Sequence, residues 1–221
     1  MTTTKEQVKS KERVANHGEV FTAEREVNAM LDLVKHETER IESRFLEPAC
    51  GTGNFLLEIL SRKLSVVKAN YRKSQSEYER YALLAVSSIY GIDLLKDNVQ
   101  ECQHRLYSLL EREYKQVFKT KCKSFYLDSV AHILKQNIIQ GDALTFMRVD
   151  GSNEPIVFSE WSFVDALRVK RRDYQFDHLL REAEFHANAG LFSDLGEEAF
   201  IPKSVKEDYP LTSYLKLGQD A

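Results

Sequence analysis

Phe45-Leu46-Glu47-Pro48-Ala49-Cys50-Gly51-Thr52-Gly53-Asn54-Phe55 decides the fold of this 221-residue chain. Phe45 and Leu46 end a short apolar strand. Gly51 and Gly53 allow backbone angles closed to other residues and let a ligand come close to the main chain. Asn54 or Thr52 is placed to cap the helix that follows. Phe55, Leu56, Ile59, Leu60 and Leu64 give that helix an apolar stripe at helical spacing. Its N-terminus would offer free N–H groups to a ligand carboxylate. The pattern is G-x-G-x-x-L, so the third glycine of the dinucleotide fingerprint is absent.

Two later segments repeat the plan. Ser88-Ile89-Tyr90-Gly91-Ile92-Asp93 is a strand ending in a carboxylate, followed by Leu94. A carboxylate there can accept bonds from ribose hydroxyls; the alternative is a cap on the next helix. Asp93 lies forty residues past Gly53, against a usual spacing of roughly twenty. An inserted helical segment, residues 66–87, accounts for the excess. Asn137-Ile138-Ile139-Gln140-Gly141-Asp142-Ala143-Leu144 is the third strand, and Asp142 is a candidate acceptor for an adenine amino group or a plain turn aspartate. Three such edges in order imply an α/β fold with its ligand at the carboxyl ends of parallel strands.

These residues resemble a family. Glu47 to Phe55 looks like motif I of the adenine-N6 DNA methyltransferases of restriction–modification systems. His17-Gly18-Glu19-Val20-Phe21-Thr22 looks like their upstream motif for S-adenosylmethionine (SAM), with Ala23 where a proline is usual. Tyr90 to Asp93 resembles the ribose-binding motif, and Gly141 to Leu144 the adenine-binding one. The resemblance covers about residues 12–145 and implies a Rossmann-like SAM-dependent methyltransferase fold, whole or truncated, with an N-terminal helical extension and a C-terminal hairpin and tail. It implies SAM-binding roles for Phe21, Thr22, Glu47, Pro48, Ala49, Gly51, Gly53, Asn54, Phe55, Asp93, Leu94, Asp142 and Ala143.

One part of the family's pattern is missing. The family's catalytic Asn-Pro-Pro-Tyr loop grips a flipped-out adenine. This chain has four prolines, Pro48, Pro155, Pro202 and Pro210, and no two are adjacent. Asn153-Glu154-Pro155-Ile156 lacks the second proline and the aromatic ring, so no catalytic residue is assigned. Only 77 residues follow Leu144, little for further strands and a target-recognition domain. The expectation is a SAM-binding subunit or N-terminal half of a split adenine-N6 DNA methyltransferase, completed by a second subunit or by self-association. The alternatives are a non-catalytic SAM-binding regulator and a methyltransferase for a non-DNA substrate.

Bulk properties set the frame. The net charge of −3 argues against a chain that binds DNA by overall charge. Three cysteines without a C-x-x-C pair suggest a reduced compartment, hence a cytoplasmic protein, with no zinc site. No apolar run approaches the length of a membrane span.

Along the chain, residues 1–15 read as a polar arm, 16–150 as the SAM-binding domain, and 151–221 as a hairpin, helix and tail. Val27, Met30, Leu31 and Val34 mark a first core helix. Leu95, Val99, Cys102, Leu106 and Leu109 mark a long amphipathic one. Residues 156–163 and 168–176 alternate as strands of a hairpin. Arg168, Lys170, Arg171 and Arg172 form a basic patch with Trp161 and Tyr174 nearby, either a DNA contact or a solvated face paired with carboxylates. Residues 177–189 read as helix, and 190–221 as a tail that docks on a partner.

Overall fold

A computed structural model describes residues 22–177 and 209–219, with Ser10, Glu12, Arg13, Ala15, Val20 and Val205. Parts of the sequence expectation, namely His17 to Glu19, Phe21, all but the first residue of the helix read over 177–189, and 190–208 of the tail apart from Val205, lie outside the described residues.

The chain is α/β. Helices α1 (Glu24–Asp32) and α2 (Lys35–Thr38) lead into β1 (Phe45–Glu47). Then come α3 (Asn54–Tyr71), α4 (Gln75–Ser87) and β2 (Ile89–Asp93). Next are α5 (Lys96–Phe118), α6 (Ser124–Asn137), β3 (Ile138–Asp142) and β4 (Met147–Arg148). β5 (Val157–Phe163), β6 (Arg168–Gln175) and β7 (Thr212–Ser213) follow.

The first sheet has the order β1-β2-β3-β4. β1–β2 and β2–β3 are parallel, with Phe45 opposite Ile89 and Gly91 opposite Ile138; β4 runs antiparallel to β3. Among the described strands, β1 has no partner on its outer side. The second sheet, β5-β6-β7, is antiparallel.

Strand alternation divides the core in two. Ile89 and Ile138 join the larger cluster, built from Leu56, Leu60, Leu64, Cys102, Leu106 and other helix residues. Tyr90, Ile92 and Ile139, of opposite parity, pack against Ile156, Phe158 and Phe176 of the hairpin. The helices therefore cover one face of the parallel sheet and the hairpin covers the other. A side chain at Gly91 would press on Leu56 and Cys50, so the absent Cβ lets α3 lie close to β2.

Four expectations need correction. The segment read as one helix over 66–87 is two, broken at residues 72–74. Ser74 caps the second by accepting the Glu77 N–H, and Ser74-Gln75-Ser76-Glu77 has capping-box spacing. α1 ends at Asp32, before Val34, and Met30 faces away from the core; both are exposed, and only Val27 and Leu31 of the four are buried. Neither Thr52 nor Asn54 caps α3; the N-cap is Gly53, with no side-chain cap. Finally, residues 209–219 dock on their own chain. Tyr214 and Leu217 are buried, the Tyr214 hydroxyl donates to Glu79 at 3.1 Å, and Leu217 N–H donates to Ser129 Oγ at 3.2 Å.

Glu79 is fully buried and well satisfied. It accepts from Lys123 at 2.8 Å, from Gln75 at 3.0 Å, and from the hydroxyls of Tyr114 and Tyr214. Such a complement of donors offsets the cost of taking a carboxyl group out of water.

Candidate functional site

The glycine turn closes over β2. Cys50 N–H donates to Ile92 carbonyl at 2.9 Å, and Gly53 N–H donates to Cys50 carbonyl at 2.8 Å. Gly51 and Gly53 have φ of 52° and 85°, in the left-handed region. A Cβ at Gly53 would stand 2.5 Å from Cys102 Sγ, so position 53 is closed to a side chain on both counts.

Asp93 binds the turn directly. Its Oδ2 accepts the Gly51 N–H at 2.9 Å. Its Oδ1 accepts Leu95 N–H at 2.9 Å and Asn98 Nδ2 at 3.2 Å, an Asx-type turn into α5 rather than an N-cap. A carboxylate has about four acceptor positions, so three bonds leave capacity for another. Asp142 uses Oδ1 to accept Leu144 N–H at 2.9 Å. Among the described residues, its Oδ2 has no hydrogen-bond partner. Leu94 and Leu144 stand 48% and 89% exposed beside these carboxylates. Ala143 packs against the smaller core cluster, and Gln140 Nε2 holds the Leu94 carbonyl at 3.1 Å.

The upstream segment joins the same edge. Asn54 Nδ2 donates to the Thr22 carbonyl at 3.0 Å. Arg105 Nη1, from α5, donates to the Thr52 carbonyl at 2.6 Å, Thr52 Oγ1 at 3.1 Å and Asn54 Oδ1 at 2.9 Å. This explains why neither Thr52 nor Asn54 caps α3: both side chains are already committed to Arg105. Arg13, in the segment expected to be a polar arm, binds Asp97 at 2.6 Å and Asn98 at 3.2 Å. Pro48 and Ala49 are exposed, and Phe55 is partly buried against the main core. Burial pushes the Glu47 carboxyl up, and a bond from the Ala49 backbone opposes the shift.

Sequence reasoning missed Asn98 and Arg105. With Cys102 they lie at i, i+4 and i+7 on α5, one stripe backing the turn. Their helical spacing with Cys102 is visible in the sequence, but nothing local distinguishes either from an ordinary surface polar residue.

Other candidates separate from this edge. Residues 150–154 are exposed, and Arg148 N–H donates to the Glu154 carbonyl across them at 2.8 Å. Asn153 thus belongs to the loop after β4, and Pro155 forms an isolated antiparallel bridge with Met147. In the basic patch, Arg168 pairs with Asp165, Arg171 with Asp173, and Arg172 approaches Glu160 at 4.0 Å. Arg171 also stacks over Trp161 and Tyr209, at 5.4 and 4.6 Å from the ring centres.

Neither a family model, nor a curated protein, nor a solved structure matches this chain. No cluster able to hold a metal occurs among the described residues, and no described helix is long and apolar enough to cross a membrane.

Proposed function

We propose that this chain is the SAM-binding subunit or half of a split adenine-N6 DNA methyltransferase with a Rossmann-like fold. One observation carries the reading most: the Asp93 carboxylate at the end of β2 is bonded to the Gly51 N–H of the turn after β1. The two sequence motifs that a nucleoside cofactor would need together are thereby joined.

The residues present fit SAM in their chemistry. The left-handed Gly51 and Gly53 keep the backbone bare, and the N-terminus of α3 favours a carboxylate. Asp93 retains acceptor capacity for ribose hydroxyls, and Asp142 Oδ2 for an adenine amino group. Leu94 and Leu144 offer exposed apolar surface for the faces of a base. When bound, SAM supplies an activated methyl group. This chain's own residues bind and orient, and none is assigned as the group that holds the acceptor amine.

The open outer side of β1 favours a partner over a self-sufficient enzyme. The hairpin of residues 156–176 could have extended the first sheet; it forms a second sheet and covers a face instead. An unpaired edge is a template for a strand from another chain.

The test uses the purified chain, SAM calorimetry and adenine methylation of DNA. SAM binding without transfer, followed by transfer on adding the neighbouring gene product, is the expected result. Transfer by the chain alone would overturn the split. SAM binding with no transfer under any pairing would turn the reading to a regulator.

A further inference from the structure

A cavity of about 300 Å³ opens at the amino end of the parallel strands, away from the glycine turn. Three elements meet there: residues 42–44 before β1, the last turns of α4, and the Glu160–Phe163 half of β5. Arg44 and Glu160 form an ion pair between two of those elements.

The formal charges of the wall, Glu42 and Glu160 against Arg44 and Arg80, sum to zero, and Arg40 just outside it tips the local balance to positive. Arg44 is held by Glu160, and Glu42 pairs with Arg40 at 3.3 Å. Among the described residues, Arg80 has no carboxylate partner. Its guanidinium carbon sits over two aromatic rings, 5.2 Å from the centre of Phe163 and 5.6 Å from that of Tyr81. A stacked guanidinium is weakly hydrated and keeps its forked donors available at its edge. Trp161 contributes to the wall, and its buried Nε1–H finds no acceptor. One unmatched positive charge selects a monoanion. A phosphate monoester, nearer to two negative charges, would meet Glu42 and Glu160 unfavourably. Tyr81, Phe163 and Leu84 give apolar walls suited to a planar ring, and the volume sits at the small end of ligand sites.

We infer that this cavity is a second ligand site, independent of the glycine-turn edge, for a small planar aromatic monocarboxylate. The carboxylate pairs with the edge of Arg80, and the ring lies against Leu84, Phe163 and the edge of Tyr81, whose faces are taken by Tyr71 and Arg80.

Trp161 is the only tryptophan in the chain and reports from the cavity wall. The probe is 4-hydroxybenzoate, followed by Trp161 fluorescence and calorimetry on the full chain; 4-hydroxybenzamide is the neutral control. Saturable binding at about 0.1–1 mM is expected, with the amide much weaker. Arg80→Gln should weaken the acid at least tenfold, about what one hydrogen bond to a charged group supplies. Arg80→Lys, which keeps the charge and loses the planar fork, should weaken it less. Asp93→Ala, remote from the cavity, should leave it within about twofold. Equal binding of acid and amide, an unchanged Kd in folded Arg80→Gln, or no heat at about 10 mM acid would overturn the site.

Discussion

The Gly51 N–H and the Asp93 carboxylate meet at 2.9 Å although 42 positions separate them. The bond ties the turn after β1 to the end of β2 and makes Asp93 both a structural and a candidate binding residue. Asp93→Ala should therefore have two effects. Without ligand, leaving the Gly51 and Leu95 N–H groups unmet should cost about 1–3 kcal/mol in denaturant unfolding. In calorimetry, SAM affinity should fall by about 1.5–3 kcal/mol. Undiminished SAM affinity would refute the ribose assignment.

Asp142→Ala separates the two roles. Its one side-chain bond among the described residues, to Leu144 N–H, lies in an exposed turn. Stability should change by no more than about 0.5 kcal/mol, as at other surface positions, while SAM binding weakens. A large drop in Tm of the free protein would make Asp142 a structural turn residue.

Gly53→Ala probes the closeness of α5 to the turn. The left-handed angle alone should cost about 1–2 kcal/mol, and the clash with Cys102 Sγ adds to it. Cys102→Ala in the same chain should relieve the clash but not the backbone strain. Additive losses in this double-mutant cycle would show that the two positions do not touch.

Lys63 gives a pH dependence with a definite sign. It is fully buried, and its Nζ contacts the carbonyls of Ile41 and Ser43 and Ser88 Oγ. Burial lowers its pKa from 10.5 to about 7. Between those values the unfolded chain binds the proton and the folded chain does not, so stability rises with pH. Lys63→Met should remove a slope approaching about 1.4 kcal/mol per pH unit between roughly pH 7.5 and 9.5. Identical slopes in denaturant titrations of the two proteins would contradict the depressed pKa.

The strands and glycine turn were legible because short apolar runs ended in Gly or Asp at recognisable spacing. The hairpin was legible from its period-two alternation. What stayed hidden depends on contacts distant in sequence. Arg105 reads as an ordinary helix-surface charge until folding brings Thr52 and Asn54 beneath it. Lys63 reads the same way until Ile41, Ser43 and Ser88 surround it. The break between α3 and α4 was readable at Ser74 and Glu77, but continuous apolar spacing masked it. The outer edge of β1, unpaired among the described strands, has no sequence signature, because sheet order is set by contacts distant in sequence.

The two sheets also differ in how soon they can form. β5 and β6 pair locally, from Phe163 with Val169 out to Val157 with Gln175, and such hairpins close in about 1–10 μs. β1 must wait for Ile89 and β2 for Ile138, each across two helices, and non-local pairing of this kind is slow. The glycine-turn edge exists only once both crossovers have closed. A ligand held there stabilises contacts made late in folding, so it should slow unfolding and leave the refolding rate nearly unchanged.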